Sequence, residues 1–473
     1  MTRAAPSGPL RGELRPPPDK SISHRAALIG AMTAGPVEIS GYLDAADTRS
    51  TLGALRTVGA EVEELGASEA PGGFDLHVHG IGLRGPGGRF APAGDAAVAI
   101  DVGNAGTLLR LLPGWLAGQG RGKWTLDGDE SIRRRPVDRI AEPLRQMGAG
   151  VECRDGMLPP LTVVGAELAG IPYRMPIASA QVKSCVLLAG LLADGETHVT
   201  EPAPTRDHTE RLLAAWGADV STEGLRTIPT VGGGPSRRIT IRRAERLRGS
   251  AIAVPGDFSS AAFMLVAATI VPASRVCLTD VGLNPTRIGL LGILNRMGAP
   301  IEVDERPEAV EPTGAILVRH GPLEATRVHP EEVPLAIDEL PLVALLGCFA
   351  EGTTIVSGAE ELRHKESDRI ATVVDGLRGL GADIEATEDG FAVTGTGELR
   401  GGHLRAHGDH RLAMLGAIAG LASKEGVEVE GMEAAAVSYP GFEMDLRALA
   451  NAARGGPGAS SDADPKRRNR VSE

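Results

Sequence analysis

A chain of 473 residues, 42% apolar and 23% charged, has the make-up of a folded protein of two or three domains, which excludes wholesale disorder. A net charge of −12 lacks the basic field of a nucleic-acid binder, yet leaves room for small anions held by local cation clusters. Glycine (63 residues) and proline (33) make up about a fifth of the chain and aromatics 3%, so many short elements packed through Ala, Leu, Val and Ile are expected.

Along the chain two patterns alternate. The first is an apolar helix, a Gly or polar break, then an alternating strand: 27–41, 187–201, 263–280 and 342–358, with looser copies at 108–128 and 412–431. The second is L-x-x-x-G-A-x-[VI]-[ES], starting at Leu55, Leu144, Leu213, Leu294 and Leu377. It reads as a last helical turn, a Gly just past the helix end where φ is positive, then entry into a strand. Together they predict six units of about 70–90 residues, each with two helices and several strands. Helices apolar on nearly every face (Leu187, Leu188, Ala189, Leu191, Leu192) suit burial inside sheets. A doubly wound parallel sheet would need long parallel strands and a Gly-rich first turn, and neither is present. Gly455 to Glu473, Gly/Ser/Asp-rich and then basic, reads as a disordered tail.

Lysine is scarce, at positions 20, 123, 183, 365, 424 and 466; arginine serves elsewhere. Lysines kept inside distinctive motifs (Lys20, Lys183, Lys365) therefore suggest a need for a compact, titratable ammonium. Pro16-Pro17-Pro18-Asp19-Lys20-Ser21-Ile22-Ser23-His24-Arg25 places an extended approach before a helix expected near His24, with Ser21 or Ser23 as its cap. Its free N–H groups, hydroxyls, Lys20 and Arg25 make an anion site, or else an ordinary capped surface helix. Gly103-Asn104-Ala105-Gly106-Thr107 reads equally as a phosphate cradle or a tight turn; no Walker loop occurs. In Arg133-Arg134-Arg135-Pro136 the proline holds Arg135 extended, whereas three arginines in a row usually form a solvated face. Ser179-Ala180-Gln181-Val182-Lys183-Ser184 heads an apolar helix as a cap or a binding edge. Asp338, at the start of the helix 342–350, is either a cap or a base. In Glu361 to Ile370, Lys365 and Arg369 are expected on one helical face beside Asp368; the plain alternative is an exposed, salt-bridged helix. Gly408-Asp409-His410-Arg411 repeats the Asp-x-Arg theme.

Metal and redox chemistry are not indicated. Cys153, Cys185, Cys277 and Cys348 have no CxxC spacing, and His77 and His79 share one side of a strand without further ligands. No apolar run reaches eighteen residues, and the first ten residues lack a signal core, so a cytoplasmic, reduced protein with no membrane span is expected.

Taken together, K-S-x-S-x-R, G-N-A-G-T, R-P, S-A-Q, K-E-S-D-R and G-D-H-R resemble, in order and over roughly residues 10–450, the EPSP synthase (3-phosphoshikimate 1-carboxyvinyltransferase) family of enolpyruvyl transferases. The resemblance implies a two-domain inside-out α/β fold, six βαβαββ-like units with helices inside. Residues 1–20 and 250–454 would form one lobe and 21–249 the other, with the chain crossing near Lys20 and near Gly249 to Pro255. It implies transfer of the enolpyruvyl group of phosphoenolpyruvate to the 5-hydroxyl of shikimate 3-phosphate in the shikimate pathway to chorismate. No cofactor or metal, no nucleic acid or membrane partner, and a monomer are implied. Lys20, Ser21, Arg25, Ser179, Ala180 and Gln181 match contacts to shikimate 3-phosphate. Gly106, Arg135, Arg369 and Arg411 match the phosphoenolpyruvate site, with Lys20 and Gln181 shared and Asn104 and Thr107 on the same loop. Asp338 matches the acceptor of the 5-hydroxyl proton, with Lys365 beside it. Glu366, with Lys20, matches the acid that protonates the methylene carbon. Gly106 keeps the small residue that leaves room for glyphosate, so sensitivity is expected.

Two positions depart from the family pattern: Val437 replaces a lysine that some members carry, and His364 stands where an apolar residue is usual. The sister enzyme acting on UDP-N-acetylglucosamine usually has a cysteine before A-R-P-V-D and an Asn after the first lysine; Asp129 to Arg134 contain no cysteine, and Ser21 follows Lys20. A non-catalytic phosphometabolite-binding protein on this scaffold would have lost the acid/base groups, yet Asp338, Glu366 and Lys20 are all retained.

Overall fold

The computed structural model describes residues 1–85, 97–120, 122–225, 236–306 and 310–452; the tail from Gly455 lies outside them. Apolar side chains gather into two separate buried cores. Around the first lie α1 (Lys20–Ala31), α2 (Ala46–Thr57), α3 (Gly106–Ala117), α4 (Asp138–Gln146), α5 (Ala180–Gly190) and α6 (His208–Ala215). Around the second lie α7 (Phe258–Ile270), α8 (Gly289–Arg296), the single turn α9 (Val333–Ala336), α10 (Leu340–Phe349), α11 (Arg369–Gly379), α12 (His410–Ala422) and α13 (Phe442–Ala452).

The helices are of two kinds. α1, α3, α5, α7, α10 and α12 are buried almost throughout, and the others bury one face. Small residues let the inner helices approach closely: a Cβ at Gly114 of α3 would lie 2.2 Å from the Cys185 carbonyl oxygen of α5. The expected turn appears five times, with Gly59, Gly148, Gly217, Gly298 and Gly381 at φ between 81° and 106°.

α3, α5, α10 and α12 each link two strands that run parallel in one sheet, α1 and α7 follow strands that lie in the other core's sheets, and an antiparallel hairpin completes each four-stranded sheet. In one unit Val98–Asp101 runs parallel to Lys123–Asp127, which pairs with Leu158–Val164 and then Gly150–Arg154. Five four-stranded sheets follow this order, with the helices inside as the sequence suggested. In the sixth, Gly402–Arg405 and Val427–Glu430 recruit Thr2–Ala4 from the far end of the chain.

Strand exchange ties the two cores together. Arg11–Leu14 joins Arg275–Leu278 of the second core, whereas Ile252–Ala253 joins Ile39–Ser40 of the first. The chain therefore passes between cores at 15–19 and 254–257. These passages bond to each other, Asp19 N to Pro255 O at 2.8 Å and Asp257 N to Pro17 O at 2.7 Å.

Two local expectations are corrected. α1 begins at Lys20, not near His24, and its cap is Asp19 instead of Ser21 or Ser23: the Asp19 carboxylate accepts from Ile22 N at 2.8 Å. The prolines leave Asp19 extended, and a carboxylate at a helix N-terminus gains from the helix dipole as a hydroxyl does not. Lys365 and Arg369 do not share a helical face. A 3-10 turn ends before Lys365, and Asp368 caps α11, so the two residues lie on either side of a break. Both still reach one carboxylate.

Candidate active site

The first turns of α7, α11 and α12 meet around Asp338 and Glu339, which precede α10, and each of the three carries a polar side chain, Ser259, Arg369 or Arg411, that reaches this pair or its partners. Arg369 opens α11 with its guanidinium 1% exposed, between Asp409 (2.8 Å), Glu366 (2.6 Å) and Asp338 (3.3 Å). Asp409 accepts in turn from Arg411 N at 2.9 Å and caps α12. Arg411 donates to the Asp338 carbonyl at 2.8 Å and to Ser259 Oγ at 3.1 Å, and lies 3.7 Å from the Asp338 carboxylate. Lys365 Nζ is 3.8 Å from Asp338, and Arg206, from the first core, donates to the same carboxylate.

Burial works against charge on Asp338. The cations outweigh it, Arg411 first, then Arg206, Lys365 and Arg369, and hold the carboxyl well below its ordinary range. Glu366 is similarly placed: burial opposes ionisation, and Arg369, then Arg135, with Lys365 behind them, overcome it. Lys365 is shifted down, chiefly by burial. This is the behaviour expected of a compact ammonium among arginines.

The first core contributes the facing wall. Arg135, extended before Pro136 at φ −90°, ψ 123°, reaches Glu366 across the divide at 3.3 Å, while Arg133 pairs with Asp127 and Arg134 with Glu130. One arginine of the three turns inward. Gly106 lies directly under it: a Cβ there would come within 2.8 Å of Arg135 Nη1. Gln181 donates to Thr107 Oγ1 at 3.3 Å, joining the starts of α3 and α5. Lys20 pairs with Asp47 at 3.2 Å, and its backbone N is 3.4 Å from Asp257 of the second passage.

Other expected residues are placed differently. Arg25 is buried, bonded to Thr209 (2.8 Å), Ser184 (3.2 Å) and the Ser21 carbonyl (3.0 Å), and burial pushes it down to about 10. Asn104 ties its turn to the loop after Lys123–Asp127 by donating to Asp129, and Ser179 caps α5, so Ala180 is that helix's first residue. Lys183 is 1% exposed between Glu201 (3.0 Å) and Glu210 (2.8 Å), which gives this scarce lysine a place in the architecture of the first core.

Known proteins match this chain over nearly its whole length. Residues 4–446 match the family described as EPSP synthase (3-phosphoshikimate 1-carboxyvinyltransferase). The chain belongs to the EPSP synthase family. A 3-phosphoshikimate 1-carboxyvinyltransferase from Synechococcus sp. (strain JA-3-3Ab) is 45% identical over 94% of this chain and 96% of its own. One from Alkalilimnicola ehrlichii is 47% identical over 92% and 93%. The structure of EPSP synthase from Acinetobacter baumannii aligns with a TM-score of 0.78 at 40% identity, covering 95% of this chain and 97% of that one. The enolpyruvyl transferase NikO from Streptomyces tendae, at 18% identity and a TM-score of 0.71 over 94% and 96%, shares the fold.

Within this EPSP synthase fold the two departures acquire a setting. His364 is exposed at the end of its 3-10 turn, where no packing demands an apolar side chain. Val437 closes the turn Met432–Val437 and is half-buried. Sequence reasoning missed Arg206, Ser259, Arg287 and Glu339. The one available signal was the charged run Arg206-Asp207-His208 at the start of α6; Arg287 sits in an unremarkable loop, and only folding brings it to Glu339 at 3.2 Å.

Proposed function

We propose that the chain transfers the enolpyruvyl group of phosphoenolpyruvate to the 5-hydroxyl of shikimate 3-phosphate, releasing phosphate, with Asp338 and Glu366 as the two proton-handling groups. The observation that carries this is one cluster in which Asp338 and Glu366 share Arg369 while Arg135, Arg206, Lys365 and Arg411 stand around them from both cores. Two polyanions bound side by side need such a field, and guanidinium forks suit carboxylate and phosphate oxygens. Arg135, Arg369 and Arg411, above Gly106, hold phosphoenolpyruvate. Lys20, Ser21, Arg25, Ser179, Ala180 and Gln181 hold shikimate 3-phosphate, with Asn104 and Thr107 on the neighbouring loop.

Asp338, kept ionised by its cations, takes the proton of the 5-hydroxyl as that oxygen bonds to C2 of phosphoenolpyruvate. The methylene carbon, C3, takes a proton from Glu366, assisted by Lys20, giving a tetrahedral intermediate. Breaking the bond from C2 to the phosphate oxygen expels phosphate, which takes up the proton held by Asp338, while C3 returns its proton to Glu366. Glu366 is held ionised by Arg369 and Arg135; an anion placed against those two arginines draws their charge away and favours the protonated acid this step requires. Positioning and a pre-set cation field supply most of the rate.

The reading includes a monomer made of the two lobes outlined from sequence, working in the cytoplasm; its four cysteines are all unpaired. Among the described residues no helix is long and apolar enough to cross a membrane. The test is a phosphate-release assay with each substrate omitted in turn. Release is expected only with both present, and Asp338→Asn abolishes it while still binding shikimate 3-phosphate. Undiminished turnover by that variant removes Asp338 from the role.

A further inference from the structure

The loop Asn284-Pro285-Thr286-Arg287 belongs to none of the motifs above, yet its two ends touch the supports of two different arginines at Asp338. We infer that Asn284, Thr286 and Arg287 are positioning residues for Asp338: this one loop sets Arg206 and Arg411, which approach the carboxylate from opposite cores. The inference rests on the reading of Asp338 as the proton acceptor.

At one end, Thr286 Oγ1 accepts from Asp207 N at 3.2 Å and donates to Asn284 Oδ1 at 2.7 Å. Asn284 Oδ1 also accepts from Thr286 N at 2.9 Å, which fixes the amide's orientation. Its Nδ2 then faces two carboxylates, Asp207 Oδ1 at 2.7 Å and Glu311 Oε2 at 2.9 Å. Glu311 holds the His208 ring, with 2.8 Å between Oε1 and Nδ1. Residues 207 and 208 of the first core are thus locked onto the second, and Arg206, one residue earlier, donates to Asp338.

At the other end, Arg287 is buried, 3% exposed. It donates to Glu339 at 3.2 Å, to Asp257 at 3.4 Å and to Ser259 Oγ. Ser259 accepts in turn from Arg411, and Glu339 lies 3.6 Å from the same guanidinium. Arg287 therefore fixes the two groups that aim Arg411.

A buried ionic network of this kind is weak evidence for stability, because well-packed apolar side chains often do as well. What it supplies is geometry. Catalytic groups need placement to about 0.5 Å, and this network spans the divide that the two arginines must bridge.

The test compares Thr286→Val, which keeps the shape and loses the hydroxyl, with Thr286→Ser, which keeps it. The readout is the pH profile of kcat/KM with both substrates, since that ratio reports groups of the free enzyme. The charged groups facing Asp338 are Arg206, Lys365, Arg369 and Arg411, with Glu339 and Arg287 behind them. Releasing Arg206 removes one cation from the carboxylate, so the acid limb for Thr286→Val is expected to move up by about half a pH unit or more, and kcat/KM at neutral pH to fall about tenfold. Thr286→Ser is expected to restore both. A merely structural role lowers the active fraction without moving the limb, so an unmoved limb in Thr286→Val overturns the inference whatever its rate. Should that variant not fold, Asn284→Ser is read by the same criterion. Asp338→Asn separates the two failures: if it stays active the base assignment falls, whereas an inert Asp338→Asn with an unmoved Thr286→Val limb overturns the positioning role by itself.

Discussion

At the scale of single residues, the absence of a side chain at Gly106 sets the space under Arg135. A methyl at position 106 would press on Arg135 Nη1 at 2.8 Å and Arg110 Nη1 at 3.2 Å, and the ends of flexible arginines are what must give. Gly106→Ala is therefore expected to fold normally, raise KM for phosphoenolpyruvate several-fold, and weaken inhibition by glyphosate by a larger factor. Steady-state kinetics with and without the inhibitor check this. Equal loss of both would show that the methyl displaces Arg135 without narrowing the space beside it. Glu366→Gln keeps a hydrogen-bonding partner for Arg369 but cannot deliver a proton. Turnover should fall about 100-fold or more, with shikimate 3-phosphate binding, followed by calorimetry, within a factor of about two.

At the scale of elements, the inner helices are held by packing, and α5 is tied to α6 as well by a buried ionic cluster. Lys183 lies between Glu201 and Glu210, and its three-way arrangement joins α5 to α6. Lys183→Met leaves two carboxylates unpaired and should destabilise the protein by about 3–5 kcal/mol in urea unfolding. Leu187→Ala, deep in α5, removes only packing and should cost about 2–5 kcal/mol. If Lys183→Met proves nearly neutral, the carboxylates are protonated when the lysine is absent.

At the scale of the whole molecule, charge is concentrated where the two cores meet, and pH is the lever on it. Burial, and after it the nearby Lys20, hold His24 and His410 down to about 3; Arg25 adds to this at the first and Arg411 at the second. Both rings stay neutral in the folded protein while the unfolded chain takes up protons below about pH 6.5. Stability therefore falls as pH drops from about 6.5 towards 3, by about 1 kcal/mol per pH unit for each ring once well below 6.5. Asp338 and Glu366, whose carboxyls are held low, add a further loss only below about pH 4. Denaturation followed at pH 7 and pH 5 should show the first effect; equal midpoints would mean that the two rings titrate freely.

Much of this was legible in the amino-acid order because it is local. A glycine at the end of a helical turn, an apolar run too hydrophobic for a surface helix, and a proline after Arg135 act on neighbouring residues, and the structure shows the turns, the inner helices and the extended arginine. Local order misplaced the cap of α1, because Asp19 and two serines were all plausible and only the geometry after three prolines favours the carboxylate. It could not find Arg206 or Arg287, since nothing near them in the chain marks an arginine whose partner lies 132 or 52 positions away. It could not exclude Lys183 from the chemistry either, because a scarce lysine looks the same beside a substrate as between two buried carboxylates. The sequence by itself determined which elements form and which helices are inner. The tertiary structure alone decided which charges face one another, since long-range electrostatics depends on distance through space and on burial, and neither is written along the chain.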